Sequence, residues 1–339
     1  MKPEEHTHLS RRDFLVTTGA AGAAVALAGG PALAAERSAA DDKKSLPKRV
    51  LGKTGVEVPI LGIGTAPHGV SQPDDVAVKL IHEFLDRGAF YLDTAPQFAG
   101  YGRAQVQLGQ ALKERRKEAF LVTKCFRARG DDALKLLQEN LKELQTDHAD
   151  LVYAHSLGAD EMDLKTVLGA GGVMKALEKA KRDGLTRFIG ISGHNRPGKF
   201  LKVLQEYDID VMMNAVNFVD RWTYGFEREV WPEAAKRNIG LVAMKVFGGH
   251  KERGNPKIPR GKGSLMPDEH IPPAFRYALS QPNITLAVIG TYDRQELLAN
   301  IDMARNFKPL SADELATLET TGRALAEAKD WKDHFGPVT

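Results

Sequence analysis

Short apolar runs rich in β-branched and aromatic residues recur along the chain. In order they read "ILGIGTA", "AFYLDTA", "AFLVTKC", "ADLVYAHS", "RFIGISG", "DVMMNAVN", "GLVAMKVF" and "ITLAVIGT". Runs this apolar lack the alternation of a half-exposed strand and read as buried parallel strands. Between them lie segments with apolar residues at helical spacing, such as "DDVAVKLIHEFLDRG" and "DDALKLLQENLKELQ". Asp74 and Asp131 stand where N-caps belong, and Gly88 and Gly184 where helices close. The pattern predicts eight strand–helix units, an α/β chain folded as a (β/α)8 TIM barrel. A doubly wound open sheet alternates in the same way but is expected to carry G-x-G-x-x-G after its first strand. The first run here continues "GIGTAPHG", which lacks the third glycine of that fingerprint.

Ahead of the barrel, "RVLGKTGVEVP" predicts a β-hairpin able to plug the N-terminal end of the barrel. Residues 1–34 have another character. Arg11 and Arg12 precede an Ala/Gly-rich run broken by Gly29, Gly30 and Pro31 and ending in Ala32-Leu33-Ala34. That run is too weakly apolar for a stable membrane span, and it resembles a cleaved twin-arginine signal peptide. Such a signal implies the twin-arginine export machinery as a partner of the precursor and a periplasmic destination for the folded chain. Residues 35–47 read as a polar linker, leaving 48–339 for the barrel.

Composition narrows the function without naming it. With 339 residues, 42% hydrophobic and a formal charge of +3, the chain can bury a large core, and nothing global calls for nucleic acid. Cys125 is the single cysteine, and no Cys/His cluster has metal-ligand spacing, so no metal is expected.

A barrel of this kind does its chemistry at the C-terminal strand ends, where the loops converge. The polar residues there are Asp93, Lys124 and His155, then Ser192, His194 and Asn195, then Asn214 and Asn217, and Lys245. A buried lysine or aspartate costs several kcal/mol unless paired. Asp93 and Lys124 fall at matching depth on neighbouring strands, so each can answer the other. A structural salt bridge and a hydrogen-bonded core histidine would account for these residues singly. Three of them aimed into one volume point instead to a site.

These residues resemble the aldo-keto reductase family, whose strand-end motifs "YLDTA", "FLVTK", "DLVYAHS" and "IGISGHN" match in order and spacing. The similarity extends to "RVLGKTGVEVPILGIGT" and "VIGTYDRQELLANI". The resemblance implies a barrel that holds NADP or NAD without a Rossmann motif and transfers a hydride between nicotinamide and a carbonyl or alcohol substrate. It assigns Asp93, Lys124 and His155 to three places of a catalytic tetrad. The fourth is a tyrosine five residues after the aspartate, and here that place is Phe98. Tyr101, between Gly100 and Gly102, is the candidate replacement. A phenol ionises near pH 10, and a neighbouring ammonium makes it a stronger acid. The alternative is a dinucleotide-binding regulatory or scaffold protein of the same fold with little catalysis.

The resemblance also implies cofactor contacts. Ser192 and Asn214 match positions that hold the nicotinamide amide, with Met244, Lys245 and Phe247 near the ring. Gly290 and Thr291 end the last strand beside the adenosine phosphates, and Asn300 matches an adenine contact. Glu296 favours a ribose hydroxyl and Arg294 a 2′-phosphate, so NAD and NADP both remain open. Phe98, Trp222 and Tyr224 are candidate substrate residues, together with the tail around Trp331, His334 and Phe335. The basic segment 248–270 reads either as a flap over the cofactor or as a solvated loop.

Overall fold

The computed structural model describes residues 45–249 and 264–339. The expected signal peptide, most of the expected linker and the middle of the basic segment lie outside them.

Ten strands are formed among the described residues. The hairpin comprises β1 (Lys48–Val50) and β2 (Glu57–Pro59). The remaining strands are β3 (Leu61–Gly64), β4 (Tyr91–Asp93), β5 (Phe120–Cys125), β6 (Ala149–Ala154), β7 (Thr186–Gly193), β8 (Val211–Ala215), β9 (Gly240–Met244) and β10 (Ile284–Gly290). They pair in parallel in chain order, and β10 closes back onto β3. The eight expected runs are the eight barrel strands. Leu46, inside the stretch expected to be a linker, is buried against the core, because an apolar side chain beside the barrel gains more from burial than from water.

Alternation along each strand splits the core in two. Tyr91, Phe120, Val122, Leu151, Tyr153, Val211, Met213, Val242, Met244, Leu286 and Val288 form the interior cluster. Leu51 and Val58 from the hairpin join it, which makes the hairpin the plug. The intervening residues, among them Leu92, Leu121, Val152, Met212 and Ala243, pack outward against the helices. The interior holds two whole tyrosines because its neighbours are small. A Cβ on Gly62 would lie 2.8 Å from the Tyr91 ring, and one on Gly190 2.8 Å from the Tyr153 ring.

The helix ends differ in detail from expectation. Asp74 and Asp131 are not N-caps: those places belong to Pro73 and Arg129, and both aspartates sit in the first helical turn. A carboxylate there still complements the helix dipole. Asp74 also binds Arg103, with Nη2 to Oδ2 at 2.6 Å. Gly88 and Gly184 take left-handed φ of 82° and 79°, one residue past their helix caps.

Candidate active site

The same alternation aims polar groups into the barrel mouth. Asp93, Lys124, His155 and Ser192 occupy the inward register one step above Tyr91, Val122, Tyr153 and Gly190, and all four are buried. Lys124 donates to the Asp93 carboxylate, to the Thr94 carbonyl at 2.8 Å and to the Tyr101 hydroxyl at 3.1 Å. Those three bonds use all three hydrogens of an ammonium. Burial pulls the Lys124 pKa down, but the charge of Asp93 and the Tyr101 phenol outweigh it and hold it above the ordinary lysine value. Lys124 is therefore a fixed cation pressed against a phenol, its Nζ 4.8 Å from the ring centroid.

His155 completes the cluster. Its Nδ1 lies 3.0 Å from Ser192 Oγ, and the Phe126 ring meets it edge-on at 6.0 Å. Burial first, then the charges of Lys124 and Lys245, hold its pKa well below the ordinary histidine value. The imidazole is neutral near pH 7. In the tautomer where Ser192 donates to Nδ1, Nε2 carries the hydrogen and is a donor.

Tyr101 reaches Lys124 because the loop after β4 interlocks with the short helix Ala66–Ser71 after β3. After β4 the chain makes a 3₁₀ turn at Gln97–Ala99, and Gly100 and Gly102 take φ of 86° and 53°. A Cβ on Gly102 would lie 2.4 Å from the Gly69 carbonyl oxygen, and one on Gly69 2.3 Å from that of Tyr101. Arg103 N–H donates to the Gly69 oxygen at 2.9 Å. The Ala66–Ser71 helix thus pins the loop after β4. Phe98 is placed differently: it is 51% exposed, with the Arg127 guanidinium 4.3 Å from its ring centroid.

The candidate cofactor residues divide. Ser192 and Met244 face the interior. Lys245 follows Met244 in a left-handed backbone conformation, φ 54°, within electrostatic reach of Asp93 and His155. Asn214 does not face the mouth. Its register partners Gly193 and Ala243 point outward, and its Oδ1 accepts from Trp231 Nε1 at 3.0 Å in the helical layer. Phe247 packs on the outer core, and its carbonyl accepts from Met266 N–H at 3.1 Å. Leu265 N–H donates to Gly249 at 2.8 Å, so the two flanks of the basic segment are paired.

At the end of β10, Gly290 leads to buried Thr291, whose hydroxyl lies 3.2 Å from Asn300 Nδ2. The two residues that bear on cofactor choice are engaged. Arg294 turns away to Glu83, at 2.8 and 2.9 Å. Glu296 accepts from Tyr292 N–H at 2.9 Å while its own N–H donates to the cap residue Asp293.

Trp222 and Tyr224, expected to line the substrate pocket, bond to the C-terminal region. Trp222 Nε1 donates to the Glu319 carbonyl at 3.1 Å, and Arg323 lies over its ring. Tyr224 donates to the Gly336 carbonyl at 2.9 Å and accepts from Phe335 N–H at 2.8 Å. A polar tip on a buried aromatic needs a partner, and the distant C-terminus supplies it. Trp331 and Phe335 are buried in that tail, and Asn195 donates to the Pro337 carbonyl at 3.0 Å. Composition did not single out Gly69, Thr94 or Arg127. The paired glycines Gly69 and Gly102 are a trace of the first contact, and they mark it only once the Ala66–Ser71 helix and the loop after β4 are brought together.

Among the described residues no group of three or more His, Cys, Asp and Glu is placed to hold a metal. None of their helices is long and apolar enough to cross a membrane.

Known proteins resemble this chain in sequence and in fold. The sequence model of the aldo/keto reductase family matches residues 60–273, and that of the twin-arginine translocation pathway signal sequence matches residues 8–28. The L-galactose dehydrogenase of Arabidopsis thaliana is 32% identical over 157 residues, 43% of this chain. The chain spans about half of that relative, 48%. The pyridoxal 4-dehydrogenase of Microbacterium luteolum is 29% identical over 60% of this chain and 71% of its own. An aldo-keto reductase from Bacillus halodurans solved in its holo form shares the fold, with a TM-score of 0.66 and 23% identity over 85% of this chain and 100% of that one. With its family model laid over the barrel and the motifs at the strand ends, the chain belongs to the aldo/keto reductase family.

Proposed function

We propose that the Asp93–Lys124–Tyr101–His155 cluster is the acid–base centre of this NAD(P)-dependent oxidoreductase and acts on a carbonyl–alcohol pair. The observation that carries the reading is the Lys124 ammonium donating to the Tyr101 hydroxyl. That bond stabilises the phenolate left when the phenol gives its proton to a carbonyl oxygen, and so makes the phenol a better acid. Asp93 keeps Lys124 charged and immobile. His155, neutral and held by Ser192, orients the carbonyl through Nε2–H.

The residues of the mouth fit a nicotinamide dinucleotide. Ser192, Met244 and Lys245 border the same end as Lys124, and Gly290–Thr291 leads to the start of the Arg294–Arg305 helix, where the Asp293 carboxylate takes the Glu296 N–H. When bound, the dinucleotide supplies or accepts the hydride. Either NADH or NADPH at a hundredfold over its Kd should raise the melting temperature by roughly 5 °C, because a ligand of the folded state alone adds about 2.7 kcal/mol. Oxidation of the same dinucleotide should then depend on an added aldehyde. A melting temperature unmoved by saturating amounts of both would overturn the proposal.

The signal sequence supports a further reading, that the chain is exported already folded to the periplasm. Changing Arg11 and Arg12 together to Lys should trap the precursor in the cytoplasm, because the arginine pair is read as an address. Cell fractionation checks this, and a periplasmic yield unaffected by the change would sink it.

A further inference from the structure

Two cation–aromatic pairs run side by side at the barrel mouth. The inner pair is Lys124 over Tyr101 at 4.8 Å, and the outer is Arg127 over Phe98 at 4.3 Å. Arg127 follows Lys124 by three residues, and Tyr101 follows Phe98 by three, so the same two segments build both pairs. In the inner pair Lys124 is buried and neutralised by Asp93, and Tyr101 is half-buried. The outer one is different. Phe98 is 51% exposed, and among the described residues no carboxylate pairs with Arg127. Arg103, Arg115 and Arg294, by contrast, each hold a carboxylate.

Arg127 is nonetheless held in place. Its guanidinium lies over Phe98, and Nη1 donates to the Phe126 carbonyl at 2.8 Å. Stacking and a backbone tie reduce the rotamer freedom that an arginine otherwise loses on binding. A planar fork held in this way matches a carboxylate in geometry as well as in charge. Phe126 carries the wall inward, meeting His155 edge-on. A ligand lying along Phe126 would have one end at His155 and Tyr101 and the other at Arg127.

We propose that Arg127, held on Phe98, is a specificity-determining residue, and that the preferred substrate carries a carboxylate a few bonds from its reacting carbonyl. This rests on the assignment of Tyr101 and His155 as the carbonyl end of the site. The half-exposed phenylalanine at the place where the family has a tyrosine is then a platform for the guanidinium.

The test compares 4-carboxybenzaldehyde with 4-carbamoylbenzaldehyde, near-isosteres in which a neutral amide replaces the carboxylate opposite the aldehyde. The intact protein should favour the acid roughly fivefold in kcat/KM, mainly through KM, as expected for an ion pair on an exposed arginine held in place. In Arg127→Gln the acid-to-amide ratio should fall to near one. Arg127→Lys should recover part of it, and Phe98→Leu should lower it by releasing the guanidinium. A ratio near one in the unmodified protein, or one that survives Arg127→Gln, overturns the proposal. Thermal shift with the same two compounds separates this from failure of the catalytic reading. If neither aldehyde is reduced, selective stabilisation by the acid that is lost in Arg127→Gln still supports the carboxylate site, and equal shifts overturn it.

Discussion

Tyr101→Phe should lower turnover by roughly 10²–10⁴-fold, the range of a positioned acid–base group, and leave dinucleotide affinity nearly intact. The substitution removes one oxygen, the one that accepts from Lys124 at 3.1 Å, and leaves the ring that packs beside the ammonium. Steady-state kinetics with a fluorescence titration of the dinucleotide separates the two effects. Adding Phe98→Tyr to this variant should restore nothing. A hydroxyl at Phe98 would stand on a half-exposed ring already covered by Arg127, while the Lys124 hydrogen released by the substitution points to the place of Tyr101. Recovery of activity in the double variant, or full turnover in Tyr101→Phe alone, would place the proton donor elsewhere.

That contrast shows which features of the site the sequence carries. The barrel is legible because every strand is a buried apolar run and the following segment changes period. Asp93, Lys124 and His155 are legible because polar residues ending such runs have few ways to be tolerated. Asn214 ends its run in the same manner, yet it points to Trp231 in the helical layer. One residue of register separates the two faces of a strand, and a polar run end does not fix that parity. Tyr101 is legible as a candidate but not as a contact. Its placement depends on two left-handed glycines and on Gly69, which comes from the short helix after β3. Trp222 and Tyr224 find their partners at Glu319, Phe335 and Gly336, far along the chain, and no local pattern encodes that choice.

Lys124→Met should damage both activity and stability, and a second substitution should part the two. Methionine fills a similar volume but leaves the buried Asp93 carboxylate without its cation. Breaking a buried pair from one side costs about 3–5 kcal/mol, because the remaining charge keeps its desolvation penalty. The Thr94 carbonyl also loses its donor, and the Tyr101 hydroxyl loses the ammonium beside it. Turnover should therefore fall at least as far as in Tyr101→Phe, and the melting temperature should fall as well. Asp93→Asn in the Lys124→Met background removes the stranded charge. It should return most of the lost stability, since replacing both members of a buried pair is far milder than removing one. Activity should not return, because nothing then stabilises the Tyr101 phenolate. Calorimetry and kcat on the single and double variants measure this directly. If turnover recovers along with stability, Lys124 serves the fold alone, and the acid–base role given to it is wrong.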